Sequence, residues 1–149
     1  MGERVAFGCR STFNDALRER LNMEIWTSIP GYEGFYEVSN FGNVRSLTRS
    51  VPYGRHQGMT YKGKDIKQFV SNTYLSVKLS RAGVTKTTYT HELVLLAFEG
   101  YRPSMDERCE IRHLDGNKFN NALSNLKYGT ISENAADRKL HNKGLIAVK

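Results

Sequence analysis

Ile111-Arg112-His113-Leu114-Asp115-Gly116-Asn117-Lys118-Phe119-Asn120-Asn121, followed by Asn125-Leu126 and then Ser132-Glu133-Asn134, decides the fold of the last third of this 149-residue chain. Cys109 to Leu114 is a short apolar-polar run that predicts a strand, and Asp115-Gly116 predicts a tight turn. A loop through Leu123 and a second strand over Leu126 to Tyr128 follow. Thr130 stands three residues before Glu133, the spacing of a capping box, so a helix starts there with Asn134 in its first turns. Strand, strand and helix in this order bring His113, Asn125 and Asn134 around one point, although they are separated by 12 and 21 residues from the histidine.

Upstream, the pattern is strand and turn with one helix. His91 to Phe98 carries Leu93, Val94, Leu96, Ala97 and Phe98, too crowded for a surface strand, and predicts a buried helix. Leu75, Val77 and Leu79 alternate with Ser76 and Lys78, predicting a half-buried strand near Tyr74 to Leu79. Its partner runs near Thr85 to Tyr89 across an Arg81-Ala82-Gly83 turn. Residues 51–63, with Pro52, Gly54, Gly58 and Gly63, predict a mobile loop. Between 24 and 50, strands are expected around Glu24-Ile25-Trp26 and Phe35-Tyr36-Glu37-Val38, a tight turn over Asn40 to Asn43, and buried Val44 and Leu47. Thr12 and Asp15 cap an expected amphipathic helix with Phe13, Ala16, Leu17 and Leu21 on one face. The fold class expected is α+β with mostly antiparallel strands.

The bulk composition narrows the partners. A net charge of +7 and a pI near 9.5 favour a polyanion. Cys9 and Cys109 form no CxxC pair, so neither structural zinc nor a disulfide framework is expected. No apolar run approaches the ~20 residues of a membrane span, and the N-terminus lacks an apolar signal core, so a cytoplasmic protein without membrane partners is expected.

Phosphodiester hydrolysis needs an activated water, charge stabilisation on the phosphate and help for the departing 3′ oxygen, and one base with one cation can supply them. His113 is the candidate base, because imidazole with an ordinary pKa of about 6.5 is largely neutral at cellular pH. Asn134 offers a hard carbonyl oxygen suited to Mg²⁺ or Mn²⁺. Asn125 could bond the loop backbone and fix the His113 strand against the helix. Singly, each has an ordinary structural reading as a strand histidine or a turn asparagine; the conjunction carries the signal.

His113-Leu-Asp-Gly-Asn-Lys-Phe-Asn-Asn121, Asn125-Leu126 and Glu133-Asn134 resemble the ββα-metal core of HNH endonucleases, especially the phage and mobile-element homing type. His91-Glu-Leu-Val-Leu-Leu-Ala-Phe98 is similar to the apolar helix that precedes that core. Ile25-Trp26 through Leu47, with Ile29-Pro-Gly-Tyr-Glu-Gly34 and Val38-Ser-Asn-Phe-Gly-Asn-Val-Arg-Ser-Leu47, resembles a modular DNA-binding motif often fused to these nucleases. Beside the helical extension expected over 1–22 and a tail over 143–149, the resemblance implies a DNA-binding motif over 23–50, a basic β region over 51–89 and an HNH core over 90–142. It further implies one divalent cation, Mg²⁺ or Mn²⁺, per site, with His113 activating water, Asn125 orienting loop and base, and Asn134 on the metal.

Arg112 departs from the pattern, since a second metal ligand is usual in its place and a guanidinium cannot ligate a cation. Arg112 is expected either to clamp the scissile phosphate through its planar fork or to be a surface arginine. Asp115 is a turn residue or a compensating ligand, and His91 a structural or phosphate-contacting imidazole. His141, beside Arg138, Lys139 and Lys143, is assigned to a basic tail that meets DNA backbone.

The partner implied is double-stranded DNA, met by Arg45, Arg49, Lys62, Lys64, Lys67, Lys78, Arg81, Arg138 and Lys139, with Arg55, Lys86, Tyr53, Tyr61 and Tyr74 interleaved. The activity implied is a DNA endonuclease leaving 5′-phosphate and 3′-hydroxyl ends. A monomer would nick and a homodimer could cut both strands, in a bacterial host cell if phage-encoded. Arg112 leaves open a non-catalytic DNA-binding protein on a degenerate HNH scaffold.

Overall fold

A computed structural model describes residues 23–103 and 108–143; the helix expected around Thr12 to Leu21 lies outside the described residues. Strands β1 (Trp26–Ser28), β2 (Tyr36–Ser39) and β3 (Val44–Ser46) form an antiparallel sheet in sequence order. The β2–β3 turn closes through Ser39, whose Oγ accepts the N–H groups of Phe41 and Asn43 at 3.2 and 3.1 Å. Asn40 ties down the start of this region: its Oδ1 accepts from Ile25 N at 2.7 Å and its Nδ2 donates to Met23 O at 3.0 Å.

The mobile loop expected over 51–63 is instead a β-hairpin, β4 (Arg49–Tyr53) paired with β5 (His56–Tyr61). Its glycines have positional work to do. Gly54 makes the turn with φ +57°, while a Cβ on Gly58 would stand 2.7 Å from the Val51 carbonyl oxygen. Pro52 sits where the register shifts between Val51 and Tyr53, so its missing N–H interrupts no regular pairing.

Strands β6 (Phe69–Ser71), β7 (Tyr74–Arg81) and β8 (Val84–Tyr89) make a second antiparallel sheet. Ala82 and Gly83 close the β7–β8 hairpin with φ +53° and +79°, the handedness that matches strand twist in a two-residue turn. Helix α1 (Thr90–Glu99) follows directly and buries Leu93, Val94 and Leu95.

The C-terminal part reads β9 (Cys109–His113), a single 3₁₀ turn (Leu123–Asn125), β10 (Leu126–Thr130) and helix α2 (Ile131–Asn142). β9 and β10 pair antiparallel from Cys109↔Thr130 to His113↔Leu126. The capping box is complete: Thr130 Oγ1 accepts from Glu133 N, and Glu133 Oε2 accepts from Thr130 N.

One apolar core joins these parts. Ile29, Val38 and Val44 of the first sheet pack with Val77 and Leu79 of β7, Leu93 to Leu95 of α1, and Leu123 and Leu126 beside β10. Each such side chain contributes about 1.5–3 kcal/mol on burial, so the two halves stabilise each other. Backbone contacts reinforce the joint: Leu123 N donates to Asn40 O at 2.8 Å, and a Cβ on Gly42 would lie 2.9 Å from the Asn121 carbonyl oxygen. Helix α2 is different, because none of its residues is fully buried. Polar side chains dock it, and those same side chains shape the site.

Candidate active site

His113 ends β9, where the strand's pleat turns its ring toward β7 and α1. Tyr74 stacks on it with centroids 6.0 Å apart, and His91 meets it edge-on at 5.2 Å. His113 Nε2–H donates to Asn121 Oδ1 at 3.0 Å, which leaves the lone pair of the neutral ring on Nδ1. Burial holds the His113 pKa below the ordinary imidazole range; the bond to Asn121 and the Asp115 charge oppose that shift, and Lys118 adds to it. At neutral pH the ring is therefore an unprotonated acceptor. Asn121, 4% exposed, was not singled out from the sequence. The doubled Asn120-Asn121 was its one visible signal.

Asn125 holds the loop and makes no hydrogen bond to His113. Its Oδ1 accepts from Asp115 N at 2.9 Å, and its Nδ2 donates to Asp115 Oδ1 and Asn120 O, both at 2.9 Å. Asp115 also receives Asn117 N and Asn120 Nδ2, each at 2.8 Å. Burial alone would raise its pKa, yet these donors outweigh burial and hold the carboxyl below its usual range. The Asp115 carboxylate is thus spent on the turn. Gly116 turns with φ +77° and lies against the His141 ring, which a Cβ would approach to 2.9 Å. His141 Nε2–H donates to Leu114 O at 3.1 Å, so this ring docks helix on loop and is not simply part of a basic tail.

The neighbouring face of β9 carries the charges. Arg112 Nε and Nη2 donate to Asp137 Oδ2 and Oδ1 at 2.7 and 3.0 Å, and Nη1 lies 3.7 Å from Glu133 Oε2. The hydrogen bond to Asp137 raises the arginine's pKa, and a side chain at Gly129 would collide with Arg112 Cδ. The guanidinium is held, with both partners of the Asp137 pair about 15% exposed (15% and 14%). Asp137→Asn is expected to lower stability by about 1–3 kcal/mol, because a half-buried cation loses its bidentate partner. Thermal melts check this, and a melting temperature equal to wild type would count against an energetically significant pair.

On the same face Asn134 Nδ2 donates to Glu110 Oε2 at 2.8 Å, which leaves Oδ1, the hard-oxygen end of the amide, for another partner. That arrangement suits one divalent cation with a carboxylate close by. Among the described residues, no group of three or more His, Cys, Asp or Glu is clustered to hold a metal by itself. A cleft of about 400 Å³ runs between β9 and α2, lined by His113, Asn134, Lys118, Arg138, His141 and Tyr74 among others. Lys118, not among the sequence candidates, holds its Nζ 5.1 Å from the Tyr74 ring centroid.

The other basic residues divide by environment. Lys62, Lys64, Lys67, Lys78, Arg81, Arg138 and Lys139 are exposed. Arg45 is paired with Glu37 at 2.6 Å and lies 4.0 Å over Trp26. Arg49 lies among Phe35, Tyr36 and Tyr61, and Arg81 covers Phe35 while donating to Gly31 O.

Residues 24–80 match the family model of the NUMOD4 motif, and residues 88–136 match that of the HNH endonuclease. Residues 88–136 thus carry the motif of the HNH endonuclease family. The chain is 37% identical over 107 residues to the DNA endonuclease I-HmuI of Bacillus phage SP01, covering 70% of this chain and 52% of the relative. An uncharacterized HNH endonuclease of Acanthamoeba polyphaga mimivirus is 32% identical over 114 residues, 74% of this chain and 25% of that protein. The solved structure of the HNH homing endonuclease I-HmuI, described as showing DNA binding and cleavage, superposes with a TM-score of 0.57 at 29% identity. That match covers 83% of this chain and 62% of the other. The chain thus spans about half the length of the phage relative and a quarter of the mimivirus one. In the HNH unit, His113 and Asn134 share one cleft, and NUMOD4 packs against it through Asn40, Gly42 and the common core.

Proposed function

We propose that the chain is a divalent-metal-dependent DNA endonuclease that hydrolyses phosphodiester bonds to 5′-phosphate and 3′-hydroxyl ends. The observation that carries this reading is the imidazole of His113 and the amide of Asn134 on one cleft, with Lys118 and Arg138 at its walls. His113 Nδ1 takes the proton of the attacking water, while Asn121 holds the opposite nitrogen and so fixes the ring's tautomer. Asn125 keeps the loop that carries Asn121 in place, acting at one remove from the base. Asn134 Oδ1 would hold the cation, Mg²⁺ or Mn²⁺, beside the Glu110 carboxylate. When bound, the cation supplies charge stabilisation to the phosphate and to the departing 3′ oxygen. Because Asp137 holds Arg112, the clamp on phosphate oxygens falls to Lys118 and Arg138.

The substrate proposed is double-stranded DNA. The exposed Lys62, Lys64, Lys67, Lys78, Arg81 and Lys139 neutralise phosphates, with Arg45 and Arg49 held on aromatic rings beside them. A monomer with one such cleft nicks, and a homodimer cuts both strands. Relatives from a phage and a giant virus support a reading in which the protein works in an infected host cell.

A supercoiled-plasmid assay tests the reading. With Mg²⁺ or Mn²⁺ we expect conversion to open-circle or linear DNA, and EDTA is expected to abolish it; the product separates nicking from double cutting. The alternative, a DNA-binding protein without catalysis, is motivated by Arg112 standing where a ligand is usual. Plasmid and host genomic DNA that both stay intact with either metal, while salt-sensitive binding persists, would establish that alternative.

A further inference from the structure

His91 lies outside the hairpin-and-helix unit that carries His113, on the first turn of α1, and is 7% exposed. Four rings meet there. Tyr89 stacks on His91 at 5.4 Å with planes 9° apart, Tyr74 meets it at 4.9 Å, and His113 meets it edge-on at 5.2 Å. Its Nδ1 is buried with no hydrogen-bond partner among the described residues. A buried polar atom without a partner is costly, so the ring contacts around His91 have to hold it in place.

We propose that His91 is a positioning residue for His113, an uncharged ring that together with Tyr74 sets the plane of the base and keeps water from its buried side. This rests on the reading of His113 as the base. Three groups then define the His113 ring: Tyr74 stacks on it, His91 packs against it nearly at right angles, and Asn121 binds Nε2. The arrangement works only while His91 stays neutral, since a cation there would oppose the imidazolium that forms on His113 during proton transfer. Burial first, then His113 and Arg102, push the His91 pKa down to about 3. The positive end of the α1 dipole acts in the same direction. The charged or titratable groups around His113 are Asp115 and Lys118 from the loop after β9, His91 from α1 and Tyr74 from β7. Asp137, Arg138 and His141 of α2 lie across the cleft.

Ring signals of His113 followed by NMR through a pH titration test this without any substrate, in wild type, His91→Ala, His91→Gln and His91→Phe. Removing the ring in His91→Ala or His91→Gln is expected to admit water and return the His113 titration toward the ordinary imidazole value. His91→Phe, which keeps a ring, is expected to retain the wild-type titration. Plasmid cleavage should follow: roughly threefold to tenfold lower in His91→Gln near pH 6 and close to wild type near pH 8. If His91→Ala fails to fold, the comparison of Gln with Phe decides. The same His113 titration in wild type, Gln and Phe would overturn the proposal. A wild-type protein that cuts no DNA while the titrations separate as expected would instead remove the nuclease reading and leave the ring packing standing.

Discussion

Replacing His113 by alanine is expected to lower metal-dependent cleavage by about 10²–10⁴-fold while leaving salt-dependent DNA binding in place. The imidazole faces the cleft with a lone pair on Nδ1, and Asn121 fixes its orientation from the other nitrogen. Its pKa lies below the ordinary range because burial penalises the cation, so cleavage by wild type is expected to hold as pH falls to about 6.5 and to decline below it. The stability linkage has a definite sign. A folded-state pKa below the unfolded one means that the unfolded chain takes up the proton first. The neutral ring's contribution is therefore full above about pH 6.5 and is lost as pH falls toward the folded value. His113→Ala should accordingly show a shallower fall of melting temperature with acid than wild type. Cleavage by the alanine variant within a few-fold of wild type would assign the base to another residue.

Asn125→Ala is expected to destabilise the fold by about 3–5 kcal/mol and to reduce cleavage along with it. Three hydrogen bonds at 2.9 Å converge on this amide, which is 7% exposed. Alanine would strand the Asp115 N–H and the Asn120 carbonyl in the interior, and the Asp115 carboxylate would lose a donor that helps keep it ionised. Through Asn120 and the adjacent Asn121, the damage reaches the hydrogen bond on His113. Urea unfolding measures the stability, and single-turnover cleavage at saturating protein measures the rest. A change within about 0.5 kcal/mol would mean that water replaces the amide and that the loop is not built around it.

Much of the site could be read along the chain because its scaffold is local. The Thr130–Glu133 box, the Asp115-Gly116 turn and the Ala82-Gly83 hairpin each depend on residues within three or four positions. Strand β7 was expected from alternation, and it buries Val77 and Leu79 at 0% exposure. The hairpin over Arg49–Tyr61 was not legible. Gly58 and Gly63 look like flexible links in sequence, whereas both are glycine because backbone from the facing segment comes within 3 Å of where a Cβ would be.

The strand–strand–helix order, the presence of His113, Asn125 and Asn134 in it, and the basic excess were set by the sequence itself, since short-range backbone chemistry and net charge need no folding to be read. Only the tertiary structure decided which side chains meet. Asn121, eight residues from His113, holds the His113 ring, while Asn125 holds the loop. Arg112 turns to Asp137 and His141 to the Leu114 carbonyl, so a helix with no fully buried residue is docked by polar contacts across 25 and 27 positions. His91 arrives from a separate helix. Pairings of this kind depend on how β9, α1 and α2 pack in three dimensions, and no periodicity along the chain encodes the direction in which a side chain will find its partner.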